Sequence, residues 1–498
     1  MKARLSPDTL AALPGDVAVP AYDRAAVTPG IVHLGVGGFH RAHQAAVVDD
    51  CLAAGETSWG IVAASLRSPE TRDALQPQAG LYTLAIREDA GTALRVVGSI
   101  GEVLVGPEDP AALLARLADP RTRIVSLTVT EKGYLVDLAS GTLKADDPGV
   151  IHDLAQPAAP RTALGYLAQG LWLRRQAGAA PFTVMSCDNL PSNGRTLRRV
   201  LTDFATARDP AFGRFVADEV AFPSTMVDRI VPKTTDADRK MVDERLGVAD
   251  AWPVMTEPFL QWVVEDRFPA GRPALESAGA EMVADVEPFE HMKLRLLNGA
   301  HTSLAAIGRL AGHQTVAEAI ADPQIRRLVE AYWSEAIPTL GGGAGDPAAY
   351  TRSLLARFSN GALPHRTQQI ATDSSQKIPQ RILAPLQERL AAGQPSPAMT
   401  FAVAAWIRSC GGLDDAGRPI PFGDPIFDAW KDQPDQRRAP TAETVRAFLG
   451  LGPVFGSELP RHEGFVRELT ADYAAIADKG IAAALAGKAI AAASAAGH

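Results

Sequence analysis

The sequence predicts an α/β protein in which a doubly wound parallel sheet is followed by a mostly α-helical domain. Its 498 residues exceed what one hydrophobic core usually organises, so at least two domains are expected. Short apolar runs alternate with helical segments through the first half, whereas long helical segments dominate from about residue 289. We therefore predict a sheet domain over residues 1–287 and a helical domain over residues 288–498.

Four apolar runs account for the predicted sheet. They are GIVHL (30–34), WGIVAASL (59–66), RIVSLTVT (123–130) and FTVMSC (182–187), and each has the length of a buried strand. Two amphipathic stretches predict helices between them, HRAHQAAVVDDCLAAG (40–55) and TALGYLAQGLWLRRQAGA (162–179), and each ends near a glycine. This alternation is typical of a doubly wound sheet.

The second half predicts helices almost throughout. The long helical stretches cover residues 291–312, 321–337 and 379–393. The glycine-rich segment LGGGAGDPAAY (340–350) predicts a flexible loop between two of them. The alanine-rich segment 480–498 predicts an extension of the last helix with a frayed end.

Composition excludes several classes of function. A net charge of −8 argues against a nucleic-acid partner, which requires a basic face. No run of about 18 apolar residues predicts a membrane-spanning helix, and the first residues lack the apolar core of a signal peptide. The cysteines Cys51, Cys187 and Cys410 form no metal-type pair, so a reduced, cytoplasmic setting is expected.

A glycine-rich turn follows the first predicted strand. The segment GIVHLGVGGFHRAHQ places Gly35, Gly37 and Gly38 between that strand and a helix. Glycines in this position permit a tight turn and a close approach of the backbone to a pyrophosphate. We therefore predict a Rossmann-type dinucleotide site at these glycines and the adjacent Phe39. The match to G-x-G-x-x-G is imperfect, because His40 stands at the third glycine.

The end of the second predicted strand bears on the choice of cofactor. Glu70, in WGIVAASLRSPE, would bond the ribose hydroxyls of NAD, whereas Arg67 could accept the 2′-phosphate of NADP. We expect NAD and leave NADP open. The alternative for Glu70 is a structural place in the first turn of the next helix.

The stretch KLRLLNGAH (293–301) places polar groups in an apolar helix. At about 100° per residue, His301 lies roughly 80° and Asn298 roughly 140° from Lys293. Burial would lower the pKa of the lysine, and a neutral lysine is a common general base. The alternative is a lysine with a buried stem, an asparagine bonded to backbone and a core histidine.

Two other kinds of site have little support. His40 and His43 have metal-ligand spacing, but no further ligands accompany them, so packing at the glycine turn is preferred and no metal is expected. No tyrosine precedes a lysine by four residues, so the Tyr-x-x-x-Lys base of short-chain dehydrogenases is absent. Lys293 is therefore the candidate base for any dehydrogenase activity.

Six motifs together resemble the polyol-specific long-chain dehydrogenases, the mannitol dehydrogenase family. They are HLGVGGFHRAHQA, SLTVTEKGY, FTVMSCDNLPSNG, FPSTMVDRIVP, EPFLQWVVED and KLRLLNGAH, and the resemblance runs from about residue 20 to beyond residue 460. It implies metal-independent hydride transfer between nicotinamide and a secondary alcohol. It also implies a protein that is a monomer or a weak oligomer.

The resemblance implies a role for each matching residue. Lys293 would be the base, Asn189 and Asn298 would bind the reacting oxygen, His301 would orient it, and Glu131 would line a proton path. Five further residues are expected to contact the substrate: Asp228, His365, Arg366, Lys377 and Arg295. Asp188 is expected to contact the cofactor. Alternatives stay open: Asn189 as a turn residue, Asp228 as a helix cap or a partner of Arg229 or Lys233, and Glu131 paired with Lys132.

Two subgroups of the family differ in substrate. Mannitol 2-dehydrogenases usually have a glycine in place of Lys132 and an arginine in place of Gln369. TEKGY and HRTQQIATDSSQKIPQR resemble fructuronate reductases instead. Several cations suit a substrate carboxylate, although Arg366 and Arg295 could pair with the protein's own acids. We therefore expect D-mannonate and D-fructuronate, with mannitol and fructose as the alternative. A dinucleotide-binding regulator without turnover is the rival from another class.

Overall fold

The protein divides into two compact units. The structure is a computed structural model that describes residues 2–137, 140–421, 423–424 and 442–488. The first unit spans Met1–Glu287 and the second spans Pro288–His498.

Twelve strands lie in the first unit. They are β1 (Val17–Ala18), β2 (Pro29–Leu34), β3 (Gly60–Ser65), β4 (Tyr82–Glu88), β5 (Gly91–Val97), β6 (Ile100–Val105), β7 (Ile124–Leu127), β8 (Thr183–Ser186), β9 (Thr225–Asp228), β10 (Val254–Thr256), β11 (Gln261–Glu265) and β12 (Glu281–Val283). The four predicted strands correspond to β2, β3, β7 and β8, so these predictions are confirmed.

The largest sheet has five parallel strands in the order β6-β3-β2-β7-β8. Along the chain these are its third, second, first, fourth and fifth strands, which is the order of a dinucleotide-binding sheet. The succession reverses between β2 and β7. The loops after these two strands therefore meet at the switch point, where such sheets bind their ligands.

The parallel sheet is covered on both faces. Val32 and Leu34 of β2 pack into one apolar cluster, whereas Ile31 packs into another. Neighbouring residues of a strand point to opposite faces, so the two clusters are the two layers of a doubly wound fold. This confirms the predicted fold class.

Two smaller sheets complete the first unit, with the orders β1-β5-β4-β10 and β12-β11-β9. They lie outside the four apolar runs that predict strands. Part of the reason is that β5 begins with exposed and half-buried residues. Its apolar residues therefore form no continuous run of the kind that reveals a strand buried along its whole length.

Helices connect the strands of the first unit. They cover Gly38–Ala42, Gln44–Ala53, Glu70–Leu75, Pro110–Ala118, Pro148–Ala155, Ala163–Gln176, Asn193–Arg208, Pro210–Glu219 and Asp236–Leu246. The predicted helix over residues 40–55 is divided at His43, whose backbone angles are φ −117° and ψ −90°. The helix predicted over residues 162–179 is present, and the Thr162 side chain caps its first turn.

The second unit has no strand among its described residues, which agrees with the predicted helical domain. Its α-helices are Glu287–Met292, which begins at the last residue of the first unit, then Gly299–Ala311, Val316–Ala321, Pro323–Ala336, Pro347–Ser359, Thr367–Ala371, Ser374–Ile378, Ala384–Ala391, Pro397–Ser409, Ala442–Leu449, Gly452–Phe455, Glu463–Lys479 and Ile481–Gly487. In the described parts of the chain, no helix is long and apolar enough to span a membrane.

Two predictions for the second unit need adjustment. The loop predicted over residues 340–350 is shorter, because a helix begins at Pro347 and Asp346 caps it. The predicted extension of the last helix is instead a separate helix, Ile481–Gly487, because Gly480 with φ 80° ends the helix Glu463–Lys479, and residues 489–498 lie outside the described residues.

The long helix predicted over residues 291–312 is not continuous α-helix. A π-helical turn, Lys293–Asn298, separates Glu287–Met292 from Gly299–Ala311. A second π-helical turn, Pro379–Leu383, leads into Ala384–Ala391. Turns of this kind are rare and are frequently found at functional sites.

Candidate active site

The glycine turn lies at the switch point of the parallel sheet. Gly35 has φ +97°, and a Cβ atom there would lie 2.2 Å from the carbonyl oxygen of Thr128, so only glycine fits. A Cβ on Gly37 or Gly38 would meet no atom closer than 3.9 or 3.6 Å, respectively. The chain therefore leaves room at Gly37 and Gly38, next to Phe39, where backbone amides start the next helix.

Two histidines, one on each side of this turn in the sequence, stack their rings on each other. The rings of His33 and His40 lie parallel with centroids 3.3 Å apart. His33 bonds Ser126 Oγ at 2.8 Å and Thr128 Oγ1 at 2.9 Å, and Thr128 Oγ1 donates to the Gly35 carbonyl at 2.7 Å. Burial lowers the pKa of His33 to about 3 and that of His40 well below its usual value, so both rings are neutral.

This packing is the arrangement that the sequence favoured over a metal site. His43, the other histidine of the predicted pair, bonds the Gln261 carbonyl at 2.9 Å. Among the described residues, no group of three or more His, Cys, Asp or Glu side chains could hold a metal ion.

The residues expected near the ribose follow β3. Arg67 is exposed in the loop after the strand. Glu70 is the first residue of the helix Glu70–Leu75, and its carboxylate accepts a hydrogen bond from the hydroxyl of Ser68. Glu70 therefore occupies the helix-start position that was its structural alternative. The cofactor roles of both residues stay predictions.

Asp188 shapes the loop after β7. Its carboxylate accepts hydrogen bonds from Val129 N at 2.8 Å, Thr130 N at 3.0 Å and Tyr134 Oη at 2.7 Å. These bonds hold Thr130 at φ 67° and ψ 161°, which is a strained conformation for a β-branched residue. The structure thus gives Asp188 a positioning role, and its contact with a cofactor stays a prediction. Glu131 follows the strained residue and is exposed.

Asn189 and Asp228 lie at the ends of two further strands. Asn189 follows Asp188 after β8 and is exposed, whereas Asp228 is the last residue of β9 and is 6% exposed. The side chain of Asn193 links the loop after β8 to the start of β9, because it donates to the Asp188 carbonyl at 3.1 Å and to the Thr225 carbonyl at 2.8 Å, and accepts from Thr225 N at 3.0 Å. Arg229, a predicted alternative partner of Asp228, donates to the Glu257 carbonyl at 2.9 Å.

In the second unit, Lys293 and Asn298 begin and end the first π-helical turn. Its hydrogen bonds join residues five apart, as between Gly299 N and the Leu294 carbonyl. An i→i+5 bond places two residues that are five apart on nearly the same side of the helix, whereas in an α-helix such residues are rotated further apart. The π turn therefore brings Asn298 nearer to the Lys293 face than the predicted 140°. Lys293 is 8% exposed, as expected for a buried lysine.

His301 lies one turn further along the helix Gly299–Ala311, in a positively charged environment. Its ring packs against Phe358 at 4.6 Å and His365 at 4.9 Å between centroids. Burial, His365 and the charges of Arg357 and Arg381 lower its pKa well below the usual value. Its buried Nε2 has no hydrogen-bond partner in the described structure. His301 is thus a neutral imidazole with an unused polar atom.

Burial lowers the pKa of His365 to about 4, and Nδ1 of this residue also lacks a partner among the described residues. Arg366 is exposed at the start of the helix Thr367–Ala371. Lys377 Nζ donates to the Thr372 carbonyl at 2.5 Å. These three residues keep their predicted roles as substrate-binding candidates.

Arg295, another predicted substrate contact, is paired with an acid of its own chain. Its guanidinium makes a two-pronged ion pair with Glu388, with both distances 2.7 Å, and donates to the Thr339 carbonyl at 2.6 Å. The planar face that would read a substrate carboxylate is therefore occupied. The structural alternative, pairing with the protein's own acid, holds for Arg295.

Sequence patterns do not indicate the residues that support the π-helical turn. Tyr332 Oη lies 2.8 Å from the Arg295 carbonyl, and Trp333 Nε1 donates to the Leu296 carbonyl at 3.0 Å. Both residues lie some 37 positions away along the chain. The apolar pattern of their helix predicts burial and does not predict these contacts.

Comparisons with known proteins cover almost the whole chain. Residues 29–277 match the family model of the mannitol dehydrogenase Rossmann domain, and residues 285–477 match the mannitol dehydrogenase C-terminal domain. D-mannonate oxidoreductase of Escherichia coli strain K12 is 42% identical over 470 residues, which are 93% of this chain and 96% of that protein. Mannitol 2-dehydrogenase of Pyrenophora tritici-repentis is 42% identical over 465 residues, which are 91% of this chain and 81% of that protein.

Solved structures show the same likeness. Mannitol 2-dehydrogenase of Pseudomonas fluorescens, in a ternary complex with NAD and D-mannitol, matches with a TM-score of 0.84 and 38% identity over 97% of this chain and 99% of that chain. A substrate-free D-sorbitol dehydrogenase matches with a TM-score of 0.90 and 33% identity, over 97% of this chain and 100% of that chain. Together with the Rossmann-type sheet and the helical second unit, these matches show that the chain is a dehydrogenase of the mannitol dehydrogenase family.

Proposed function

We propose that this dehydrogenase uses NAD to interconvert the secondary alcohol and the ketone of an open-chain sugar acid, with D-mannonate and D-fructuronate as its substrates. In this proposal the first unit binds the dinucleotide and the second unit supplies the base. Lys293 is that base, Asn298 binds the reacting oxygen and His301 orients it. Asn189 and Glu131 keep the roles that the family resemblance implies.

The glycine turn supports NAD as the cofactor. Only glycine fits at position 35, because the backbone there lies close to the backbone of Thr128, and the space at Gly37 and Gly38 suits a pyrophosphate. NAD held there would supply the hydride acceptor for oxidation of the alcohol, and NADH would supply the hydride donor for reduction of the ketone. The NAD complex of the Pseudomonas relative is consistent with this assignment.

The π-helical turn supports the assignment of Lys293. Oxidation of a secondary alcohol releases a hydride from carbon and a proton from the hydroxyl. A neutral lysine amine accepts that proton, and the Asn298 amide stabilises the negative charge that develops on the oxygen. The neutral His301 can use its buried Nε2 to hydrogen-bond the substrate oxygen.

The charge around His301 is the observation that carries the choice of a sugar acid. Burial is the main cause of the lowered pKa of this imidazole, and the charges of Arg357 and Arg381 lower the pKa further, so these two cations contribute a positive potential near the ring. A carboxylate on the substrate is stabilised by that potential, whereas a neutral polyol gains little from it. Arg366 and Lys377 add cationic candidates in the same unit.

Mannitol and fructose form the second candidate pair of substrates. Arg295 is neutralised by Glu388, which removes one cation from the expected set. The Pseudomonas structure, 38% identical to this chain, contains D-mannitol. The family mechanism is the same for both pairs, so the substrate alone distinguishes the two candidates.

Initial rates of NADH oxidation with D-fructuronate and with D-fructose test the proposal directly. We expect kcat/KM to be at least about 100-fold higher for D-fructuronate, which corresponds to about 2.7 kcal/mol for one carboxylate-reading contact. A preference for D-fructose would refute the sugar-acid assignment and leave the dehydrogenase mechanism in place. NADPH, measured in parallel, should support lower rates than NADH.

A further inference from the structure

One tyrosine hydroxyl joins the two π-helical turns of the second unit. Tyr332 lies on the helix Pro323–Ala336 and is fully buried. Its Oη is 2.8 Å from the Arg295 carbonyl in the first π turn and 3.0 Å from the Arg381 carbonyl in the second. Burial raises the pKa of Tyr332 well above its usual value, so the hydroxyl keeps its proton and remains a donor.

A π-helical turn needs partners of this kind. The change from i→i+4 to i→i+5 hydrogen bonding takes carbonyl groups away from their usual α-helical partners, and a buried carbonyl requires a replacement. Tyr332 provides one at Arg295, and the neighbouring Trp333 provides another at Leu296, with Nε1 3.0 Å from the carbonyl oxygen. Donors from a single helix therefore stabilise two successive residues of the first turn.

Gly299 makes the approach of Tyr332 possible. A Cβ atom on Gly299 would lie 1.8 Å from Tyr332 Oη and 2.9 Å from the Arg381 carbonyl oxygen. No residue larger than glycine fits there unless the tyrosine moves. The end of the first π turn, the tyrosine hydroxyl and the second π turn are thus packed in direct contact.

A second path connects the same two turns. Arg381 Nη1 donates to Thr302 Oγ1 at 3.2 Å, and Thr302 Oγ1 donates to the Asn298 carbonyl at 3.0 Å. Asn298 ends the turn that Lys293 begins. Displacement of either π turn would therefore change where the lysine amine and the asparagine amide lie.

We propose that Tyr332 is a positioning residue for the lysine base, because its hydroxyl holds the first π turn in the register that sets Lys293 and Asn298. This inference rests on the proposed role of Lys293. In this role the Tyr332 hydroxyl contacts only backbone carbonyl groups, so it affects the reaction by fixing the position of the turn.

Tyr332→Phe tests the inference, since it removes one hydroxyl and keeps the ring. We expect the single-turnover rate of hydride transfer to fall about 10- to 100-fold, because small misplacements of catalytic groups have effects of this size. KM and the Kd for NADH should change less than about threefold. With NADH deuterated at the transferred position, the isotope effect on kcat should increase, since chemistry becomes more rate-limiting.

Tyr473→Phe is the matched control. Tyr473 is a second buried tyrosine of the same unit, and its hydroxyl bonds Thr444 on a helix that carries none of the candidate residues. This variant should lose comparable thermal stability and keep the wild-type hydride-transfer rate. If Tyr332→Phe yields no folded protein, Trp333→Phe removes the neighbouring donor and should show the same selective loss of hydride transfer.

The outcomes separate this inference from the proposed function. If Lys293→Ala retains turnover, the base assignment fails, and the positioning role fails with it. If Lys293→Ala is inactive and Tyr332→Phe transfers hydride at the rate of Tyr473→Phe, the base assignment stands and the positioning role of Tyr332 is overturned.

Discussion

Replacement of Asp188 by asparagine should separate stability from activity. The change keeps the shape of the side chain but removes its charge and replaces one acceptor oxygen with an amide donor. If the remaining oxygen keeps its bonds to Val129 N and Tyr134 Oη, the new NH₂ group faces the backbone N–H of Thr130. The hydrogen bond that holds Thr130 in its strained conformation is then lost.

Two terms of opposite sign determine the change in stability. Loss of a hydrogen bond to a charged acceptor costs about 1.5–3 kcal/mol. Relaxation of Thr130 from φ 67° returns roughly 1–3 kcal/mol of backbone strain. The substitution also removes the free-energy cost of partly burying a charged carboxylate. The same cost raises the pKa of Asp188. These terms nearly cancel, so the free energy of unfolding should change by less than about 1 kcal/mol.

The effect on activity should be much larger. Glu131 directly follows Thr130, so relaxation of the loop displaces the residue predicted to line the proton path. We expect kcat to fall about 100-fold, as for other displacements of about 1 Å near a reacting centre. Initial rates of NADH oxidation and urea unfolding of the same preparations measure the two effects.

Asp153 offers a control with a similar set of amide and hydroxyl donors, to which His152 Nδ1 adds a contact at 3.0 Å. It accepts hydrogen bonds from Arg161 N at 2.8 Å, Thr162 N at 2.9 Å and Thr162 Oγ1 at 2.7 Å, and Thr162 has an ordinary φ of −108°. Asp153→Asn should therefore lose more stability than Asp188→Asn and keep full activity. Equal losses of stability would show that Thr130 stores no strain, and wild-type activity of Asp188→Asn would refute the link to Glu131.

Three further predictions follow from the site. Lys293→Ala should lower kcat by at least about 1,000-fold while the Kd for NADH, measured by fluorescence titration, changes less than about threefold; substantial residual turnover would contradict the base assignment. Arg366→Ala or Lys377→Met should raise KM for D-fructuronate more than for D-fructose, whereas Arg295→Met should leave the ratio unchanged because Glu388 already occupies that guanidinium. Because the pKa of His33 is lowered to about 3, only the unfolded chain gains a proton at this residue as the pH falls from about 6.5 towards about 3. In urea titrations, His33→Asn should therefore reduce the loss of unfolding free energy on acidification by about 1.4 kcal/mol per pH unit. An unchanged slope would show that His33 is protonated in the folded protein.

The parts of the fold that the sequence predicts well are those in which one residue type has one physical consequence. Continuous apolar runs predicted β2, β3, β7 and β8, because strands buried on both faces tolerate few polar residues. The glycine at position 35 predicted the tight turn, since the backbone there has a positive φ and touches Thr128. The helical second half followed from its periodicity.

Features that depend on distant residues were not predictable in this way. The π-helical turn at Lys293 is held by Tyr332 and Trp333, and no pattern within KLRLLNGAH reveals those donors. The ion pair between Arg295 and Glu388 could not be assigned from the sequence, because the two residues are 93 positions apart along the chain and meet only in the folded unit. The role of Asp188 was missed for the same reason, since its three donors lie more than 50 positions before it.

The first π-helical turn also constrains how this chain can tolerate insertions and deletions. Relative to an α-helix, a π turn contains one additional residue. A deletion of one residue within 293–298 would restore α-helical bonding, and the residues that follow would keep roughly their orientation, because a π turn spreads its additional residue over about one helical turn. The deletion would instead change the spacing between Lys293 and Asn298, which begin and end the turn. A deletion after the turn would rotate all that follows by about 100° in a helix whose positions from Gly299 to Leu310 are all buried, and would force that helix to repack. Chain length within the turn is therefore constrained by the placement of the lysine and the asparagine, whereas chain length after it is constrained by packing.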